Sequence, residues 1–339
     1  MIEDGIHFGL AEAEYHSDPA LGSTDIRRLA VSPVEWWWQS HLNPLKPERE
    51  VSDQMRLGSA LHSIILEGLP AFIERYAREP QPSDYPGCLK TADDIRRFVV
   101  SKGRKPQARK WDLIKQALEE SDCPVIWHIV ERDARQSGKT LLPGSVFDKA
   151  MVSSRTVTSN PQLAPAFHGG VAEVSVFWTF NGVRLKARLD YLKINSTIDL
   201  KSFSVKSNGR SIRQSIFQSI GGERYDIQAA HYSNARSQME RFVSDGRVFG
   251  QHDSKWITQV AKQHSWKWVW IFYKTTGAPI SRGLVFDRTS SEFSLAQHQV
   301  TRAIEDYSAF LERFGREAWI DETPIEDIGE GDLPSWIGM

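Results

Sequence analysis

EVSVFWTFNGVRLKARLDYLKINSTIDLKS, residues 173–202, decides the fold. Val183 to Lys193 alternates as a strand, Asn195-Ser196 supplies turn residues, and Thr197 to Ser202 returns as a second strand. Folding about that turn sets Asp190 opposite Asp199–Lys201. Side chains two apart on a strand share a face, so Asp199 and Lys201 point the same way and two carboxylates share a pocket with an ammonium. Hydrolysis of a phosphodiester asks for such a trio: hard oxygen ligands for Mg2+ and a cation beside the attacking water. Asp190 and Asp199 are the expected metal ligands. Lys201 is expected to orient or deprotonate the water, with burial lowering its pKa. An isolated Asp-x-Lys is more often a surface hairpin with a solvated salt bridge, so the surroundings must decide.

Two further segments bear on that choice. Met55 to Gly68, MRLGSALHSIILEG, reads as a helix with Ser52 as N-cap and an apolar stripe of Leu57, Leu61, Ile64 and Ile65. His62 rides beside the stripe, where a lone histidine is more often a satisfied core residue than a ligand. YDIQAAHYSNARSQMERF, from Tyr225, reads as a second helix with Gln228 and Tyr232 on one face. Neither helix alone indicates a function.

In order along the chain stand Gly58-x-x-x-His62, Glu173, Asp190, Asp199-Leu200-Lys201 and Gln228-x-x-x-Tyr232. This order resembles the RecB-type nucleases of the PD-(D/E)XK superfamily, and within them the RecE-type exonucleases, also called exodeoxyribonuclease VIII. LGSALHSIILEG, EVSVFWT, ARLDY, IDLKS and QAAHYS carry the likeness. It extends from YHSDPALGSTDIRRLAVSP through the WVWIFYKTTGAPISRGLVF strand pair to a final LPSWI, and is less clear from Leu89 to Leu163. Leu189-Asp190 stands where the superfamily pattern has Pro-Asp.

The resemblance implies an α/β PD-(D/E)XK nuclease fold, a central mixed sheet flanked by helices, with a mainly helical N-terminal region. It implies a Mg2+-dependent exonuclease, Mn2+ able to substitute, that degrades linear duplex DNA 5' to 3', releases mononucleotides and leaves 3' single-stranded tails. By position, His62, Asp190, Asp199 and the Leu200 carbonyl ligate metal, Lys201 activates water, and Glu173 is an outer or second-metal carboxylate. Gln228 holds the scissile phosphate or Lys201, and Tyr232 braces its helix. The resemblance also implies a ring-shaped homo-oligomer around DNA, a single-strand annealing recombination protein as partner, and a phage or prophage setting. The alternatives are an endonuclease of the same superfamily and a catalytically inactive DNA-binding protein of this fold.

Composition bounds these expectations. A chain of 339 residues with 40% hydrophobic content can bury a full core. The expected organisation is one nuclease domain over 1–339, with a mainly helical part at 20–165 carrying His62, catalytic sheet and helices at 166–315, and an acidic tail at 316–339. No apolar run reaches membrane-spanning length and MIEDG lacks a signal peptide's features, so a cytoplasmic protein of a bacterium or phage-infected host is expected, with no membrane partner. Cys88 and Cys123 are too few for an iron-sulfur cluster. Gly138-Lys139-Thr140 ends like a phosphate-binding loop, but Asp133 stands where its first glycine belongs, so no ATP is expected.

The net charge of -1 hides segregation. Arg96–Lys110 holds seven basic residues and no acid, Lys201–Arg213 four and none, and Glu317–Asp332 seven acids with no base. A charge run is ordinarily a solvated face. Lys206, Arg210 and Arg213 leave the catalytic strand directly and are candidate DNA contacts, with the Arg96 run a weaker one. Ser23 is read as N-cap of TDIRRLAV, whose Arg27 and Arg28 are candidates for a terminal 5' phosphate. Ser32-Pro33 opens a helix with Trp36, Trp37 and Trp38, at least one of them exposed because adjacent helix positions are about 100 degrees apart. Trp266, Trp268 and Trp270 are expected to pack under a helix, with base stacking as the alternative, and Gln297 to Phe314 reads as a closing helix.

Overall fold

The computed structural model describes residues 1–47, 52–205, 211–325, 327 and 329. Lys206, Arg210 and the LPSWI segment lie outside the described residues. In chain order the described strands are β1 (Gly5–His7), β2 (Tyr76–Arg78), β3 (Thr140–Leu142), β4 (Val171–Phe180), β5 (Val183–Lys193), β6 (Ser196–Phe203), β7 (Val248–Phe249), β8 (Lys267–Lys274) and β9 (Ser281–Phe286). Seven form a mixed sheet in the order β7-β1-β4-β5-β6-β8-β9, and β2 and β3 pair separately. β4, β5 and β6 run antiparallel in succession, whereas β8 lies parallel to β6.

Local chemistry explains the hairpins. Asn181 and Gly182 adopt φ of 48° and 79°, the paired left-handed conformation of a two-residue turn, and join β4 to β5. The β5–β6 turn is Ile194-Asn195 rather than Asn195-Ser196, because Ser196 already pairs with Lys193.

Helices cover both faces. Along β8, Trp268, Trp270 and Phe272 enter the larger core, packed with the helices Ser23–Leu29, Tyr225–Ser237 and Ser291–Phe314. Ile271 and Tyr273 enter a second core with Leu57 and Leu61 of the helix Asp53–His62 and Val146 and Val157 of the helix Gly144–Thr158. A sheet buried on both faces reads as a near-continuous apolar run, as WVWIFY does. The tryptophans are therefore core, and burial removes the base-stacking alternative for Trp268 and Trp270. Trp36 and Trp37 are buried and Trp38 is exposed, the division that helix geometry requires.

Other helix ends differ from the sequence reading. Gly22, not Ser23, is the N-cap of the first of these helices, its N–H donating to Asp25 at 2.9 Å. The helix capped by Ser52 is α-helical only to His62, and Ser63–Glu67 continues as a π turn. The Gln228 helix stops at Ser237, with Met239–Ser244 a separate turn of helix. The long C-terminal helix begins at Ser291, capped by Ser290, rather than at Gln297. Among the described residues no helix is long and apolar enough to cross a membrane.

The sheet forks where the candidate site lies. The β5–β6 ladder runs only from Lys193–Ser196 to Tyr191–Ile198, after which β6 stays with β8 along its whole length. Further along β5, Leu21 takes the vacated edge: its N–H donates to the Arg184 carbonyl at 3.0 Å and its carbonyl accepts from Lys186 at 2.9 Å. Residues 79–139 are an excursion between β2 and β3, with a small core of their own that includes Ile95, Val99, Leu113 and Ile114.

Candidate active site

Asp190 stands at the fork. The β4–β5 register places Glu173 directly across from it, and the β5–β6 register continued one step places Asp199 on its other side. Three carboxylates thus occupy one row across three neighbouring strands. Both ladders are interrupted at this row: the Asp190 carboxylate accepts from the Leu200 N–H at 2.8 Å, where a backbone carbonyl would otherwise serve. Glu173 has φ of 56°, a left-handed conformation that a residue with a Cβ rarely adopts. The consequence is visible in packing. Ala172 and Tyr191 face the second core, yet Val174 and Leu189, two residues along their strands, face the first. Side-chain alternation changes phase at Glu173 and Asp190, which turns both carboxylates away from the regular sheet surface.

His62 reaches the row from the end of its helix, just before the π turn, a helix irregularity frequent at functional sites. Its Nε2 is 3.2 Å from the Leu200 carbonyl, an atom that can only accept, so Nε2 carries a proton. Its Nδ1 faces Glu173 Oε1 at 4.0 Å and Asp190 Oδ2 at 3.9 Å. Ligand atoms of His62, Glu173 and Asp190 all lie within 4.8 Å of one another. Three lone-pair-bearing atoms converging in this way are satisfied by a cation between them, or by a second proton on the imidazole. An oxygen-rich set with one imidazole fits Mg2+ or Mn2+. The three residues line a cavity of about 690 Å³ that also touches Tyr15, Gly58 and Tyr232.

Asp199 lies on the far side of the row and is 1% exposed. Its Oδ2 is 2.6 Å from the Lys201 ammonium, and its Oδ1 accepts from Gln228 Nε2 at 3.3 Å. Burial pushes the Asp199 carboxyl up to about 6, against the pull of Lys201. For Lys201 burial works downward, but the Asp199 and Asp190 carboxylates outweigh it and hold the ammonium well above its ordinary value. The expectation that burial lowers the Lys201 pKa is therefore corrected: a buried amine beside two carboxylates stays protonated. The convergent cluster is formed by His62, Glu173 and Asp190, while Asp199 is engaged with Lys201.

The remaining candidates are placed as follows. Tyr232 lines the cavity wall, its hydroxyl 3.5 Å from Ser23 Oγ and its ring edge-on to Trp268. Arg27 donates to the Glu223 carbonyl at 2.5 Å and lies over the Tyr225 ring, and Arg28 is half-buried beside it. Arg213 is exposed on the helix Ile212–Gly222 that follows β6. Four of the seven basic residues of the Arg96–Lys110 run are spent on ion pairs, Arg96 on Asp93, Arg97 on Asp94, Lys102 on Asp122, and Arg104 on Glu119 and Glu120.

Two residues in the site escaped the sequence reading. Arg188 Nε is 2.5 Å from Glu173 Oε2, and its guanidinium also donates to the Leu10 carbonyl and lies over the Tyr15 ring. The signal was available: Arg184, Lys186, Arg188 and Asp190 alternate with Val183, Leu185, Ala187 and Leu189, a charged stripe on a strand otherwise buried. Tyr225 lies between Lys201 and Arg27, its ring 5.1 Å from one cation and 5.9 Å from the other. No local pattern announces that contact.

Comparison with known proteins adds little. No family model and no curated protein matches the chain. Among solved structures it is similar to a protein from Eubacterium rectale whose crystal structure is described as that of a "putative exonuclease". That likeness covers 89% of this chain and 88% of the other at 13% identity, with a TM-score of 0.48. A likeness of this size carries no argument about activity.

Proposed function

We propose that the chain is a metal-dependent deoxyribonuclease with the PD-(D/E)XK fold, acting as a 5'-to-3' exonuclease on linear duplex DNA. The observation that carries the nuclease reading is the row Glu173–Asp190–Asp199 across a forked sheet, with His62 over one end and Lys201 at the other. A protein that only bound DNA would gain nothing from clustering carboxylates where phosphate must approach. The finer reading rests on the segment-by-segment resemblance to RecE-type exonucleases, which supplies the polarity, the mononucleotide product, the 3' tail for strand annealing, the annealing partner and the ring-shaped homo-oligomer.

In this reading His62, Glu173 and Asp190 would hold the metal, with Asp199 and the Leu200 carbonyl as further candidate ligands. When bound, Mg2+ supplies Lewis-acid stabilisation of the charge that builds on the scissile phosphate. Lys201, protonated, positions the attacking water and offers its N–H groups to the developing negative charge. Gln228 holds Asp199 in orientation, and Tyr232 forms the cavity wall against which the nucleotide rests. Water attacks phosphorus in line and gives up a proton to solvent, the P–O3' bond breaks, the terminal nucleotide leaves with that oxygen protonated as its 3' hydroxyl, and the attacked phosphate stays on the shortened strand as its new 5' end.

End-labelled substrates test the reading. In Mg2+, the 5' label of a linear duplex is released early as mononucleotide, the 3' label late, and closed circles remain intact. Cut circles would mean an endonuclease, and early 3' release would reverse the polarity. Retained DNA binding without any cleavage would favour an inactive binder.

A further inference from the structure

We propose that the excursion of residues 79–139 carries a single-stranded DNA surface formed by Lys105, Arg109, Lys110 and Trp111. The proposal rests on the nuclease reading for its biological sense, but its binding test does not require cleavage. The starting observation is how the charges of this lobe are spent. Arg96, Arg97, Lys102 and Arg104 are each paired with acids of the lobe itself. Lys105, Arg109 and Lys110 are all exposed and form no ion pair among the described residues. Ion pairing thus divides one basic run into a neutralised half and a cationic half.

The cationic half is held in place. Gln116, buried, accepts from the Gln107 N–H at 3.1 Å and donates to the Lys105 carbonyl at 2.9 Å, stitching the loop onto the helix Lys110–Leu118. Trp111 follows directly and is 48% exposed, with the Arg132 guanidinium 5.5 Å from its ring. A half-exposed indole on a loop-and-helix segment that carries three unpaired cations suits a strand that offers both phosphates and unstacked bases, and a duplex offers only the first. The lobe is also anchored near the chemistry. It departs from β2, whose Tyr76 lines the catalytic cavity, and Arg78 clamps its root through Asp84 at 2.9 Å and Asp148 at 3.1 Å. An exonuclease that consumes one strand must manage the other, and charge complementarity selects that single strand as the occupant.

Anisotropy of a labelled single-stranded oligonucleotide, measured in EDTA so that binding is read without cleavage, tests this on the full chain. Replacing Lys105, Arg109 and Lys110 by Gln is expected to weaken binding about tenfold or more and to lower the slope of log affinity against log salt by about 2. Trp111→Ala is expected to weaken binding with the salt slope unchanged, and Trp111→Phe to restore most of it. Circular dichroism of each variant checks the fold. Wild-type affinity and salt slope in folded variants would overturn the proposal and leave the surface to an acidic protein segment instead. Cleavage of duplex in Mg2+ is scored separately: its absence in the wild type counts against the nuclease reading alone.

Discussion

The two ends of the carboxylate row satisfy their charges in different ways. On the cavity side His62, Glu173 and Asp190 turn ligand atoms toward a common point, with Arg188 on the outer oxygen of Glu173 and the Leu200 N–H on Asp190. One strand away Asp199 is sealed from solvent and already bonded to Lys201 and Gln228. At the first end three ligand atoms converge, and at the second an ion pair already balances the charge. Asp199 and Lys201 thus form a closed pair one strand away from the open cluster. The π turn after His62 and the left-handed Glu173 belong to the open end, where irregular backbone aims side chains off the regular lattice.

Removing Lys201 disturbs this contrast most. Lys201→Met leaves Asp199 buried without its partner, which is expected to cost about 3–5 kcal/mol of stability at pH 8. DNA hydrolysis is expected to fall by about two to four orders of magnitude. Urea unfolding and initial rates read the two effects, and an unchanged stability would show that Asp199 does not depend on the ion pair.

Titration comes next. Burial raises the Asp199 carboxyl from an ordinary 3.8 to about 6, against the pull of Lys201. A raised carboxyl contributes stability that is fully present below about 4 and is lost as pH rises through about 6, roughly 3 kcal/mol in all. Unfolding in EDTA from pH 4 to 8 is expected to show this loss in the wild type and not in Asp199→Asn. Mn2+ affinity runs the other way, weakening as pH falls through about 6 because the ligand must be ionised.

The smallest effect sharpens the reading of the open end. Glycine relieves the backbone cost of a left-handed φ that alanine retains, so Glu173→Gly is expected to be more stable than Glu173→Ala by about 1 kcal/mol. The reverse order, which strand propensity alone would give, would mean that Glu173 is not strained.

Much of this arrangement was legible in the sequence. Alternation over Val183–Lys193 and the Asp-Leu-Lys triplet pointed to the strand pair and to Asp190 and Asp199 of the row, because a strand's period of two fixes which residues share a face. Ser52, followed by an apolar stripe, located the His62 helix. What stayed hidden depends on non-local geometry. The fork in β5–β6 arises because Leu21, far away in sequence, takes an edge that β6 has left. The left-handed conformation of Glu173 has no composition cue, so the turn of its side chain toward His62 could not be read. The direction of the Lys201 shift needed both carboxylates, whereas burial alone gave the opposite sign. The partial neutralisation of the Arg96 run was within reach, since Asp93–Arg96 and Asp94–Arg97 stand three apart on one helix.

Nucleotide release from linear duplex DNA asks whether the row acts as one metal-dependent centre for phosphodiester hydrolysis. Wild-type protein in Mg2+ is compared with the same protein in EDTA and with Asp190→Asn, the residue common to both ends of the row. The account predicts release in Mg2+, none in EDTA, and a loss of about two to three orders of magnitude in the variant. Release that persists in EDTA, or that survives Asp190→Asn undiminished, would contradict it.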